Sequence, residues 1–185
     1  TGYLGDHKFA PLSGSSQRVR DSLRHHGAQK VLAYFDETST TDPRWNISHE
    51  TMREDFDYLL EKVLAEPWLG LVVKPKNPQS FHSRLGPVAR LLKKAEETGR
   101  CYVYQEADTI QGQYPPAAAA LAADVAVHSR LYAATAGVDA ALAGIPTLML
   151  DRENFPVSPF YSLGVGQVVF LDLESMWQAC LENWE

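Results

Sequence analysis

Six short apolar runs alternate with segments of helical periodicity along almost the whole chain, and this alternation limits the fold more than any other feature. The runs are KVLAYFD, LGLVVKPK, CYVYQE, DVAVHS, PTLML and GQVVFLD. None shows the period-2 exchange of apolar and polar residues that a half-exposed strand needs, so each is expected to be covered on both faces. Between them lie SSQRVRDSLRHHG, SHETMREDFDYLLEKVLAEP, SRLGPVARLLKKAEETG, YPPAAAALAA, YAATAGVDAALAG and, at the end, LESMWQACLENW. In the second of these, Met52, Phe56, Leu59, Leu60, Val63 and Leu64 recur at helical spacing behind Ser48, a capping residue. The pattern predicts an α/β fold, a doubly wound and mostly parallel six-stranded sheet with helices on both faces. A chain of 185 residues fits one such domain, residues 1–185.

Composition narrows the class of partner. A net charge of −6 opposes a phosphate backbone as the main partner, so no nucleic acid is expected. No apolar run approaches the roughly 20 residues of a membrane span, so no transmembrane segment is expected. The opening TGYLGDHKFAP lacks the basic start and apolar core of a signal peptide. It also lacks a methionine, as expected of one domain cut from a longer chain. Cys101 and Cys180 are far apart in sequence, which predicts two buried thiols in a reducing, cytoplasmic setting. His25, His26 and His82 have no metal-ligand spacing, and no metal is expected.

In a parallel sheet, ligands bind beyond the carboxyl ends of the strands, near the point where strand order reverses. Those ends carry Asp36, Glu37 and Thr38; Lys74, Pro75 and Lys76; Gln105, Glu106 and Asp108; His128 and Ser129; and Asp151, Arg152 and Glu153. Lys74 and Lys76 flank a proline that favours an extended turn, which suits a phosphate or carboxylate as well as it suits solvent. A helix beginning near Leu131 or Thr135 would aim its free amides at an anion beyond His128 and Ser129. Thr135, Ala136 and Gly137 are small enough for close ligand approach, and Asp139 can accept from sugar hydroxyls. The competing readings are an ordinary helix cap for His128 and Ser129 and a solvated helical acid for Asp139. Gly144, Ile145 and Pro146 read as scaffold. Arg44 and Trp45, in a long polar loop, and Glu37 are candidates for a lid or an acceptor contact. The chain has no GxGxxG, no phosphate-binding Gly-Lys-Ser/Thr loop and no GxSxG elbow.

Four stretches, TGYLGDH, VLAYFDET, LVVKPKNP and ADVAVHSRLYAATAGVDAALAGIPTLMLD, give the chain a resemblance to the C-terminal half of GT-B glycosyltransferases that build bacterial surface glycans such as capsule and lipopolysaccharide. The last stretch is similar to that family's aD…S…EA…G.P…D pattern. The resemblance implies a Rossmann-like domain that binds a nucleotide-sugar donor as substrate, with no cofactor. It implies phosphates near Ser129, Thr135, Ala136 and Gly137, with Asp139, where the family usually has Glu, at the ribose. Lys74 and Lys76 become phosphate partners. It further implies a glycan acceptor, an N-terminal GT-B domain that supplies the general base, and little activity in isolation. The full-length protein is then expected in the cytoplasm or at the inner face of the cytoplasmic membrane. Two other readings are a sugar-nucleotide epimerase of the same fold and a non-catalytic binding module.

Overall fold

The computed structural model describes residues 9–42, 47–105 and 114–184. The segment TGYLGDH, the loop residues Arg44 and Trp45, and Glu106 and Asp108 therefore lie outside the described residues. The elements run α1 (Phe9–His25), β1 (Lys30–Phe35), α2 (His49–Ala65), β2 (Leu69–Lys74), α3 (Pro78–Leu85), α4 (Ala89–Glu97) and β3 (Cys101–Val103). After these come α5 (Pro116–Leu121), β4 (Val125–His128), α6 (Thr135–Leu142), β5 (Thr147–Leu150), β6 (Val169–Phe170) and α7 (Leu173–Trp184). The sheet order is β3-β2-β1-β4-β5-β6, and every pairing is parallel. This is the doubly wound, Rossmann-like arrangement, and its strand order reverses between β1 and β4.

Alternate residues of each central strand feed two cores. Leu32, Tyr34, Leu71, Val73, Val125 and Val127 pack on one face with α2, α3, α4 and α7. Val31, Ala33, Phe35, Val72 and Ala126 pack on the other with α1, α5 and α6. On α2 the predicted helical stripe is the buried one, apart from the half-buried Leu64, and Ser48 accepts from the Thr51 amide. Burying a side chain such as Phe56 contributes about 1.5–3 kcal/mol. The run Ala117–Ala120 is wholly buried beneath α1. Small side chains there let helix backbones approach the sheet closely.

Several boundaries differ from the sequence expectation, each for a local reason. The expected single helix SRLGPVARLLKKAEETG is two, because Gly86 takes a φ of 54° and Pro87 has no amide to donate. The first of them starts earlier, at Pro78, behind the Asn77 cap. Helix α1 begins before the serines of SSQRVRDSLRHHG, since the Ser15 hydroxyl donates back to the Leu12 carbonyl and that of Ser16 to the Ala118 carbonyl. Helix α6 starts at Thr135, so the Tyr132–Ala134 part of its predicted span is a turn. Strand β6 keeps only two residues of GQVVFLD. Among the described residues, no helix is long and apolar enough to cross a membrane.

Candidate functional site

Where the strand order reverses, the carboxyl ends of β1 and β4 lie side by side, with α6 following β4. Helix α6 begins at Thr135 with Ala134 in the capping position, and alanine has no side chain that can accept from the first amides. Those donors, with the positive end of the helix dipole, face the strand ends. A cleft of ≈ 380 Å³ opens there. One wall carries Glu37, Lys74 and Lys76, the other Thr135, Ala136 and Asp139, and Tyr114, Pro115 and Pro116 close one end. Its volume lies in the range of small-molecule sites.

Charges on the first wall are arranged in depth. Lys76, half exposed, pairs with the Glu37 carboxylate at 2.5 Å. Lys74 is buried, and its ammonium donates to the Pro75 carbonyl at 3.0 Å. Beneath Glu37, Asp36 is held by the Arg84 guanidinium at 2.6 and 3.4 Å, and the same guanidinium donates to the Glu37 carbonyl at 3.1 Å. Burial pushes the Asp36 carboxyl up to about 6, against the opposing pull of Arg84.

Of the residues singled out from sequence, Lys74, Lys76, Glu37, Thr135, Ala136 and Asp139 come together on this cleft. His128, Ser129 and Gly137 lie beneath it. The Ser129 hydroxyl donates to the Phe35 carbonyl at 3.0 Å and joins β1 to β4 just past their last paired residues. Gly137 is small for packing: a Cβ there would stand 2.7 Å from Met149 Cε and 3.1 Å from His128 Cβ. His128 is fully buried, and its Nδ1 accepts the Arg130 amide at 3.2 Å. Its Nε2, 3.7 Å from Glu37, has no hydrogen-bond partner among the described residues.

Sequence reasoning missed Arg84, Arg130 and the Tyr114–Pro115–Pro116 wall. Arg130, 1% exposed, bonds to the Tyr132 hydroxyl and lies 3.6 Å from Glu153. A cation directly after His128 and Ser129 at a strand end was the available signal. Arg84 gave none, since it reaches Asp36 across 48 residues of chain. Among the described residues, no three His, Cys, Asp or Glu side chains gather as a metal-ligand set.

Burial lowers the His128 pKa to about 4. The unfolded chain takes up that proton near pH 6.5 and the folded chain only near 4. Stability from this group is therefore complete above pH 6.5 and is lost as pH falls towards 4. In His128→Asn, whose amide oxygen can accept the Arg130 amide, that loss should vanish. Urea melts at pH 6.5 and 5.0 should show the difference between wild type and variant changing by about 1.5 kcal/mol, in the variant's favour at the lower pH. An unchanged difference would mean that His128 does not titrate this way.

No protein-family profile and no curated protein matches the chain. Among solved structures, the chain is similar to Anabaena Alr3699/HepE in complex with UDP and glucose, with 15% sequence identity and a TM-score of 0.53. The match covers 92% of this chain and 42% of that one, so the chain spans less than half of the length of HepE. The likeness establishes a shared fold.

Proposed function

We propose that the cleft holds the nucleoside diphosphate of a sugar donor and that the chain is the donor-binding half of a GT-B glycosyltransferase. The observation that carries this reading is the pairing, at the sheet's reversal point, of Lys74 and Lys76 on one wall with Asp139 on the other. A neighbour of the same fold bound to UDP and glucose supports it.

In this reading the diphosphate lies against the uncapped start of α6, where the amides of Thr135 and Ala136 and the helix dipole favour an anion. Lys76 turns from Glu37 towards the phosphates, and Lys74 adds a second positive charge at the base of the wall. Asp139, one turn into the helix, accepts from the ribose hydroxyls. Tyr114, Pro115 and Pro116 offer the base an apolar surface. As the sugar leaves, negative charge grows on the diphosphate, and the lysines and helix end stabilise it without requiring a metal.

The acceptor is proposed to be a bacterial surface glycan, as the sequence resemblance implies. The general base and most acceptor contacts are assigned to an N-terminal GT-B domain, so the chain alone binds donor weakly and transfers little.

Thermal unfolding with CMP, CDP, UDP and GDP tests the reading. A nucleoside diphosphate at about 100 times its Kd should stabilise the fold by about 2.7 kcal/mol and raise Tm by several degrees. If all four nucleotides leave the melting curve where it was, the donor reading fails.

A further inference from the structure

A second pocket lies on the opposite side of Tyr114 from the cleft, and nothing in the donor reading uses it. Helix α1 carries Ser15, Arg18, Val19 and Ser22 at i, i+3, i+4 and i+7, which puts them on one stripe. That stripe faces β3, the last strand of the sheet on that side, across a cavity of ≈ 250 Å³ lined by these residues with Tyr102, Tyr104 and Tyr114. Tyr104 is buried and forms the floor, with its hydroxyl donated to the Ala118 carbonyl at 3.1 Å. Tyr102 and Tyr114 are 39% and 38% exposed. Their ring centroids stand 4.9 and 5.2 Å from that of Tyr104, with ring planes at 83° and 54° to it. The three rings thus meet at angles instead of covering one another, which leaves aromatic surface facing the cavity.

The polar side is equally specific. Among the described residues, Arg18 has neither an ion-pair nor a hydrogen-bond partner. Its guanidinium can therefore take a carboxylate through two parallel hydrogen bonds. The Ser15 hydroxyl donates to Leu12 and keeps its lone pairs for an incoming donor. The positive charge disfavours a cation in this aromatic enclosure. The small volume favours a single ring. Tyrosine faces suit the C–H face of a pyranose, and the serine hydroxyls suit its hydroxyl groups.

We propose that this pocket is an accessory saccharide site for a carboxylated pyranose, a hexuronate unit of a glycan, separate from the donor cleft. Saturation-transfer NMR on the chain, with tetragalacturonate and maltotetraose as probes, tests it in wild type, Arg18→Ala and Tyr102→Ala. Both substitutions are at exposed side chains, and unchanged melting curves will establish that the variants are folded. Tetragalacturonate should bind wild type, and lose about fivefold or more in affinity in each variant. Maltotetraose should bind at least about fivefold more weakly, and saturating UDP should displace neither probe. The proposal is overturned if tetragalacturonate does not bind, if Arg18→Ala binds it as tightly as wild type, or if maltotetraose binds equally well. Displacement by UDP would also overturn it, by putting the oligosaccharide in the cleft. The Arg18, Tyr102 and maltotetraose results leave the donor reading untouched, and the nucleotide melts test that reading on their own.

Discussion

Arg84→Ala is expected to destabilise the chain by about 3–5 kcal/mol, the usual consequence of removing one partner from a buried ion pair. Its guanidinium is 6% exposed and holds together Asp36, the Glu37 carbonyl and the Ser39 hydroxyl. Without it the Asp36 carboxylate stays buried with no guanidinium in contact. The loss should depend on pH in a definite direction. Burial already raises the Asp36 pKa to about 6. A carboxyl raised in the folded state lowers stability as pH climbs from its unfolded value through its folded one. Removing Arg84 raises that pKa further, so the variant should be hurt more at pH 8 than at pH 5. Urea denaturation at the two pH values measures both effects. A loss below about 1 kcal/mol at pH 8 would show that Arg84 is not what holds this wall.

Asp139→Ala should weaken UDP binding by about tenfold or more, because a hydrogen bond to a charged acceptor is worth about 1.5–3 kcal/mol. Asp139 sits on the wall opposite the lysines, and its helix packs on the sheet through Ala140 and Gly137. Affinity for UDP should fall whatever the substitution does to the melting temperature of the free variant. Calorimetric titration with UDP, read beside an unliganded melt, separates the two. Equal affinities would remove Asp139 from the ribose and leave the lysine wall as the remaining support.

The sheet was legible because its strands lie between two helical layers, and burial on both faces writes continuous apolar runs such as LGLVV. Helix α2 was legible because its buried stripe and its Ser48 cap agree. Other boundaries depend on what a residue's neighbours do. A serine reads as a cap at the start of SSQRVRDSLRHHG, yet Ser15 bonds backwards to Leu12 inside α1 and Ser16 donates to the Ala118 carbonyl. Strand β6 pairs only briefly with β5.

The candidate site was legible in its position but not in its depth. The residues after β1, β2 and β4 do converge, but the last residue of a strand still alternates between the sheet's faces. His128 lies on the same face as Ala126, so α6 covers it, with Gly137 close over its Cβ. Ser129 spends its hydroxyl on Phe35. Arg84 belongs to the site only through the folded chain. Its segment was read as part of a long helix, and the break at Gly86 and Pro87 frees α3 to lie beside the end of β1.

The central claim is that the cleft between the lysine turn and α6 receives a nucleoside diphosphate. Titrating the isotopically labelled chain with UDP and mapping backbone amide shifts tests it most directly. The largest changes are predicted at Thr135, Ala136 and Gly137, with further changes at Glu37, Lys74 and Lys76. No shift at saturating UDP, or shifts confined to the α1–β3 flank around Arg18 and Tyr102, would contradict the account.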